Sequence, residues 1–435
     1  MSSKVKKIGL ITTTSLVVGN MIGAGIFLLP ATLAKYGSIS LLGWLFTATG
    51  ALILAKIFSN FSKIIVNKSG GPYTYSKAGF GDFIGFLVAW GYWISIWISN
   101  AGLAIAIIGG LSVFFPALNS NPVLSVVVAL SFIWLFTWIN SKGIKESGRI
   151  QVITTVLKLL PLVFIILIGA FFFSLDNFPG FNLTGESHFA TIPVVAALTL
   201  YAFLGIESAS IPAENIKNPE KTVPKATMLG TIISTCVYIL GTVVLFGVLP
   251  VEELQNSAAP FAEAGEIIGG KYAGYFVAGG AVIAAVGALN GWTLLVGQLP
   301  MAAAKDKMFP RIFKKENKNG VPYLGLIIGS VLTSVILLIG MSDGLVDQFE
   351  FVVNLTVLTC LVPYLFVSAS YIIVTIEKKL HLNKFLKTFI LGSLGFAYSL
   401  WAIFGSGPDV VFYGFLLLLL GIPFYALMQW NKREK

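Results

Sequence analysis

The chain has 435 residues, 56% of them hydrophobic and 11% charged, and its mean hydropathy is +0.87. Soluble domains carry about a quarter charged residues, so this composition excludes an ordinary soluble protein and indicates an integral membrane protein. The net charge of +10 is concentrated in alternate loops, a distribution that indicates membrane topology and not a nucleic-acid partner.

Apolar runs of about 20 residues, the length that crosses the bilayer core, recur along the whole chain. They predict an all-α protein with twelve transmembrane helices in a single domain. The runs lie at roughly 9–34, 39–62, 82–114, 123–140, 147–173, 190–212, 223–249, 273–302, 322–341, 346–374, 385–405 and 409–429. The basic segment at 1–7 resembles the start of a signal peptide. The run after it is too long and shows no cleavage site, so we interpret it as span 1.

Lysine and arginine are unevenly distributed between the two sets of loops. Basic residues precede span 1, occupy the loops that follow even-numbered spans and end the chain, whereas the opposite loops hold only Lys35 and Lys271. By the positive-inside rule, both termini are expected in the cytoplasm.

Two of the twelve runs are interrupted near the middle of the membrane. Span 1 contains Gly23-Ala24-Gly25, and the run at 193–212 contains Gly205 and Glu207. Non-helical backbone at membrane depth is tolerated where it lines a cavity or is buried in protein. A pair of such interruptions in corresponding spans points to the binding site of a transporter.

The two interruptions also suggest an internal repeat. Gly23 and Gly205 each precede a proline, Pro30 and Pro212, by seven residues. The pattern predicts repeat one at about 9–173 and repeat two at about 190–374, with spans 11 and 12 appended at about 385–429. Because each repeat has an odd number of spans, the two are expected to be inverted in the membrane.

The first interruption has the chemistry to bind a zwitterion. The backbone N–H groups that open its second half suit a carboxylate. The carbonyls of residues 20–22, Met21 among them, are expected to be free acceptors for an ammonium group, like those near Tyr201 and Leu204. The alternative is a glycine face that only packs against another helix.

Several side chains are candidates for the rest of a cavity. Tyr92, Ser95 and Ser99 of span 3 share one helical face. They either line a cavity or form hydrogen bonds to neighbouring helices. For Trp93 and Trp97 of the same span we favour packing between helices.

Aromatic residues of later spans extend this candidate cavity. Trp292 lies away from the interfacial belt where tryptophan is usual, which favours a cavity role. Tyr201 is suited to stack on a cation, and Thr356 and Tyr364 of span 10 could close one side.

Two ionisable residues fall deep inside spans, where such groups are rare and usually functional. Glu207 could titrate as a gate, pair with a substrate cation or make a fixed hydrogen bond between helices. Lys158 lies about 16 Å into span 5. Its ammonium could extend towards the cytoplasm, as we expect for Lys56, or substitute for a coupling cation near the first interruption.

Other classes of site have no support in the sequence. Cys236 and Cys360 fall inside apolar spans and are expected to be free, buried thiols. We find no metal cluster, no cofactor or nucleotide-binding loop and no nucleophile–base pair, so the sequence does not indicate an enzyme.

The chain resembles the amino acid–polyamine–organocation superfamily, whose members have the LeuT-type fold. The resemblance covers nearly all 435 residues and is carried by GNMIGAGIFLLPATLA, SGGPYTY, YAFLGIESAS, GALNGWTLLVGQ and LVPYL. Within the superfamily it is closest to the basic amino acid/polyamine antiporters, and among those to the arginine/agmatine antiporters.

The resemblance implies a homodimeric exchanger of the bacterial inner membrane that imports arginine and exports agmatine. It implies that Gly23, Ala24 and Gly25 bind the substrate carboxylate, that Tyr201 stacks on the guanidinium and that Glu207 is the proton-sensitive carboxylate. It further assigns substrate contacts to Tyr92, Ser95, Ile96, Asn100, Trp292 and Thr356, gating to Tyr364, and a pH response to Tyr73.

Three positions depart from the antiporter pattern. Ala24 replaces a serine, Tyr201 replaces a tryptophan, and Lys158 resembles a span 5 lysine of proton-coupled carriers in the superfamily. The alternative function is therefore a proton-coupled amino acid carrier with Lys158 as the coupling site. An amino-acid-gated channel or receptor is disfavoured, because paired interrupted helices suit carriers.

Overall fold

The computed structural model describes residues 7–23, 25–339, 345–377 and 382–433, and describes only the backbone at 119, 345–357, 382–384 and 431–433. Ala24 and the side chain of Thr356, both predicted at the substrate site, therefore lie outside the described residues. The described part of the chain is helical, apart from turns, loops and one isolated bridge between Ile8 and Ile216.

The described α-helices follow the predicted runs. The first eight are α1 (Leu10–Met21), α2 (Gly25–Ala34), α3 (Ser40–Ile64), α4 (Pro72–Ser112), α5 (Ala117–Ser120), α6 (Pro122–Ser141), α7 (Ile144–Gly169) and α8 (His188–Leu200). The others are α9 (Pro219–Val248), α10 (Val251–Asn256), α11 (Pro260–Lys305), α12 (Tyr323–Ile339), α13 (Leu345–Glu377), α14 (Leu382–Gly405), α15 (Pro408–Leu419) and α16 (Gly421–Arg433).

Most of these helices are long and apolar enough to cross a membrane. Within the described ranges ten segments meet that test, and α1 with α2, bent by 43°, counts as an eleventh if the pair is one span. The remaining predicted span corresponds to α12, which is apolar but shorter, at 17 residues. The all-α membrane fold is confirmed, while the count of twelve stays a prediction.

Two helices, α4 and α11, begin before the predicted spans, and a glycine kinks each of them close to the predicted start of the span. Gly81 in α4 has φ +77° and Gly270 in α11 has φ +73°, a conformation that glycine adopts without steric cost. The predicted spans at 82–114 and 273–302 correspond to the parts of these helices that follow the kinks.

The two cysteines show that, in a membrane protein, a position inside an apolar run does not by itself predict that the side chain is buried. Both are free, and Cys360 is buried as predicted, but Cys236 is exposed on α9. The prediction of a buried Cys236 is wrong because a face that contacts lipid is as apolar as the protein core.

Glycine allows α1 and α9 to pack closely, and this contact is testable. A Cβ added at Gly230 would lie 2.6 Å from Cβ of Val17, whereas one added at Gly279 would meet nothing within 4 Å. Because Val17 branches beside the backbone, we expect Gly230→Ala to lower stability by roughly 1–3 kcal/mol and Gly279→Ala to leave it unchanged or higher. Thermal unfolding in detergent compares the two, and equal melting temperatures would contradict the close packing.

Candidate functional site

Both predicted interruptions are present, and they touch. The first lies between the end of α1 at Met21 and the start of α2 at Gly25. In the second, α8 gives way to a 3-10 turn and then to Gly205 at φ +109°. Nδ2 of Asn20 donates a hydrogen bond to Oγ of Ser208 at 2.9 Å, which joins the two interruptions directly.

Gly205 is required here for two reasons. Its positive φ is rarely adopted by other residues, and a Cβ would lie 3.3 Å from the backbone carbon of Asn20. The unwound segments can therefore approach each other only with glycine at this position.

A cavity of about 90 Å³ opens between the interruptions, enough for several water molecules. The aromatic ring of Tyr201 borders it and faces Gly25, whose added Cβ would lie 3.7 Å from the ring. The wall carries no acidic or basic side chain and is formed by Asn20, Met21, Gly23, Gly25, Ile26, Leu29, Ser99, Leu103, Ala106, Leu198, Tyr201, Ala202, Leu204, Trp292 and Cys360.

Six of the predicted substrate-site residues are on this wall: Met21, Gly23, Gly25, Tyr201, Leu204 and Trp292. Four others, Tyr92, Ser95, Ile96 and Asn100, are buried in α4 but do not line the cavity. Sequence reasoning missed Cys360 and the aliphatic residues of α2, α4 and α8, because the pattern of an apolar helix does not mark which of its faces borders a cavity.

The carbonyls at the end of α1 are not free acceptors, which corrects the sequence-based expectation. The carbonyl of Asn20 accepts from Nε1 of Trp292 at 3.3 Å, and that of Met21 accepts from the N–H of Gly23 at 3.1 Å. The carbonyl of Ile22 accepts from Nζ of Lys158 at 2.6 Å. Each carbonyl keeps one lone pair, so a substrate ammonium would share these oxygens with donors of the protein.

Lys158 is fully buried, and its ammonium points at the first interruption, not towards the cytoplasm. Besides Ile22, it donates to the carbonyl oxygens of Gly19 at 3.0 Å and Ala284 at 3.1 Å. The Gly19 carbonyl lacks its helical partner because the N–H of Gly23 bonds to Met21. The lysine therefore satisfies backbone acceptors that the break in the helix exposes.

Glu207 is fully buried between three segments of the chain. Its carboxylate accepts hydrogen bonds from the hydroxyls of Tyr92 in α4 and Tyr364 in α13. The hydroxyl of Tyr364 also accepts from the N–H of Gly205 at 3.3 Å. The carboxylate thus links the second interruption to both helices.

Tyr73 lies away from the cavity, at the end of the bundle where α4 begins. Its hydroxyl donates to Oδ2 of Asp306 at 2.9 Å, and Nζ of Lys77 contacts the same oxygen at 3.2 Å. Close by in the chain, Lys305 pairs with Glu214 at 2.8 Å. These contacts join the start of α4, the end of α11 and the segment before α9.

A buried amide cluster beside α1 was not anticipated from the sequence. Nδ2 of Asn290 donates to Oε1 of Gln151 at 2.8 Å, and Nδ2 of Asn140 reaches Oδ1 of Asn290 at 3.3 Å. The available signal was a polar stripe along α7, with Gln151 spaced by helical turns from Ser147 and Lys158.

A multi-span helical protein with a cavity between two interrupted spans has the construction of a membrane transporter. The family model for amino acid permeases matches residues 8–431. The chain belongs to this family, within the amino acid–polyamine–organocation superfamily.

Similar proteins agree with that assignment. The chain is 34% identical over 440 residues to an arginine/agmatine antiporter of Chlamydia abortus, covering 97% of this chain and 89% of that protein. It is 33% identical over 435 residues to the putrescine transporter PotE of Haemophilus influenzae, covering 99% of each. It is also 33% identical over 441 residues to a cadaverine/lysine antiporter of Escherichia coli, covering 99% and 97%. The family and these relatives indicate a transporter and not an enzyme.

Proposed function

We propose that the protein is a secondary active antiporter that exchanges a basic amino acid for its decarboxylated amine, with arginine and agmatine as the first pair to test. The cavity between the two interruptions carries the proposal, because the unwound backbone at Gly23 and Gly25 and the ring of Tyr201 lie on one wall of it. The names of the relatives, which include an arginine/agmatine and a cadaverine/lysine antiporter, support this substrate class.

In the proposed complex, the backbone from Gly23 to Gly25 holds the substrate carboxylate. The cationic end of the substrate lies on the rings of Tyr201 and Trp292, since aromatic faces attract cations. Further contacts are proposed for Met21, Ala24, Leu204 and Thr356. For Tyr92, Ser95, Ile96 and Asn100, which are buried in α4 and do not line the cavity, contacts with the substrate are proposed in another conformation of the transport cycle. Gating or proton coupling is proposed for Tyr73, Lys158, Glu207 and Tyr364.

The proposed architecture is a LeuT-type inverted repeat with twelve spans. We count α12 as the ninth span. Its 17 residues rise about 26 Å, which is close to the apolar thickness of a bilayer. We propose cytoplasmic termini in a bacterial inner membrane and a homodimer. With that topology the cavity, which extends to Leu29 in α2 and Leu198 in α8, lies on the outer half of the molecule.

A second function is favoured by one observation. The ammonium of Lys158 donates to two carbonyls beside the first interruption and to the carbonyl of Ala284. Loss of its proton would leave two N–H donors for these three acceptors. This contact supports the second proposal, a proton-coupled amino acid carrier with Lys158 as its coupling site.

Labelled arginine uptake distinguishes the two functions. The purified protein is reconstituted into vesicles loaded with agmatine, with arginine or with neither, and uptake is followed with and without an imposed pH gradient. An exchanger takes up label only into loaded vesicles, whereas a proton-coupled carrier fills empty vesicles when the outside is acidic.

Unlabelled competitors define the substrate class in the same assay. Agmatine, putrescine, lysine and leucine are each added in excess outside loaded vesicles. Competition by the cationic compounds but not by leucine supports the proposed exchange, and competition by leucine alone would contradict it.

A further inference from the structure

The loop between α11 and α12 packs against the helix bundle. Met308, Phe309 and Phe313 are buried, and the last two pack edge-on against Trp93 of α4 with ring centroids 5.9 and 5.6 Å apart. The 3-10 turn Arg311–Lys314 follows Phe309 and contains Phe313 as its buried residue. Its outward side chains are therefore presented on a fixed surface.

The same loop is tied to the end of α6. Nδ2 of Asn317 donates to the carbonyl of Ser141 at 2.7 Å, and Oδ1 of Asn317 accepts from the N–H groups of Asn319 and Val321. This contact places the loop beside the short connection from α6 to α7. Two basic segments that are distant in sequence thereby form one surface.

That surface, which we call the basic platform, consists of Lys142, Lys145, Arg311, Lys314, Lys315 and Lys318. All six are exposed, and within the described residues none of them forms an ion pair. The neighbouring cations Arg149 and Lys305 are instead paired, with Glu146 and Glu214. Glu316, which is also exposed in this loop, is a single carboxylate against these six cations, so the platform keeps a strong net positive charge.

Exposed apolar side chains place the platform at the border of the membrane. Trp138 in the last turn of α6 is 57% exposed, and the ammonium of Lys142 lies 4.7 Å from its ring. Exposed tryptophan at the end of a span marks the headgroup level. Ile312, 43% exposed between the basic residues, adds an apolar contact at the same level.

We propose that the basic platform binds the headgroups of anionic phospholipids. The position at the membrane border and the unpaired charge are complementary to a headgroup phosphate, and clusters of this size at the end of a span attract anionic lipid. Anchoring by buried aromatic side chains means that little of the loop needs to become ordered on binding.

The test is native mass spectrometry of the full chain in detergent, titrated with phosphatidylglycerol or with phosphatidylcholine of the same acyl chains. The variant K314Q/K315Q/K318Q is compared with K217Q/K221Q/K225Q, which removes the same charge from three other exposed lysines. We expect at least about tenfold weaker phosphatidylglycerol binding in the first variant and less than a twofold change in the second.

Three outcomes would overturn the proposal: equal losses in both variants, no loss in either, or displacement of the lipid by millimolar inorganic phosphate, which would indicate a site for free anions. The variant K314R/K315R/K318R keeps the charge and is expected to restore binding. If it also binds weakly while its melting temperature is normal, charge is not what the lipid recognises.

Discussion

Replacement of Lys158 with methionine is expected to lower the melting temperature of the protein and, in a proton-coupled carrier, to abolish proton-driven uptake. The substitution keeps the aliphatic volume but removes the donor to the carbonyls of Gly19, Ile22 and Ala284. Each buried acceptor left without a partner costs about 1–3 kcal/mol. Two of the three lie where the helix is interrupted, so the defect arises at the cavity.

Comparison of transport modes shows which function Lys158 serves. In an exchanger, arginine uptake into agmatine-loaded vesicles should continue in Lys158→Met, whereas uptake driven by a pH gradient should be lost in a proton-coupled carrier. Lys56→Met is the matched control, because Lys56 is an exposed lysine within α3. Unchanged stability and unchanged transport in Lys158→Met would refute a role for its ammonium.

Replacement of Glu207 with alanine should reduce exchange at least about tenfold, the rate effect of about 1.4 kcal/mol. The carboxylate accepts hydrogen bonds from the hydroxyls of Tyr92 and Tyr364. Its loss leaves both hydroxyl groups buried without an acceptor. Glu207→Gln keeps one acceptor oxygen and should transport at an intermediate rate. Because glutamine does not titrate, any dependence of transport on pH that arises from Glu207 should disappear.

A double-mutant cycle tests whether these three residues act together. Tyr92→Phe and Tyr364→Phe each remove one donor while keeping the ring. In the wild type each should slow exchange, but in the Glu207→Ala background each should have little further effect, because residues that share one hydrogen-bond network are not additive. Additive losses would show that the two tyrosines act independently of the carboxylate.

The sequence predicted which residues lie around the interruptions better than it predicted the hydrogen bonds between them. Gly23, Gly205, Tyr201 and Trp292 were all recognised as unusual for a membrane span, since each departs from a regular apolar helix. All four lie at the cavity or at the contact between the interruptions. The sequence could not predict which backbone carbonyls already accept a hydrogen bond, because this depends on where the ammonium group of Lys158 lies in the folded protein.

By itself the sequence determined the class of protein. Its apolar runs identify a multi-span membrane protein, and its sequence motifs, such as GNMIGAGIFLLPATLA, identify the family. Both signals are local, because the bilayer requires each span to be apolar along its own length. Only the tertiary structure decided which polar side chains meet. The hydroxyls on Glu207 come from residues 115 and 157 positions away, and the basic platform joins two separate loops through Asn317. Such contacts depend on helix packing, which a pattern within one span does not record.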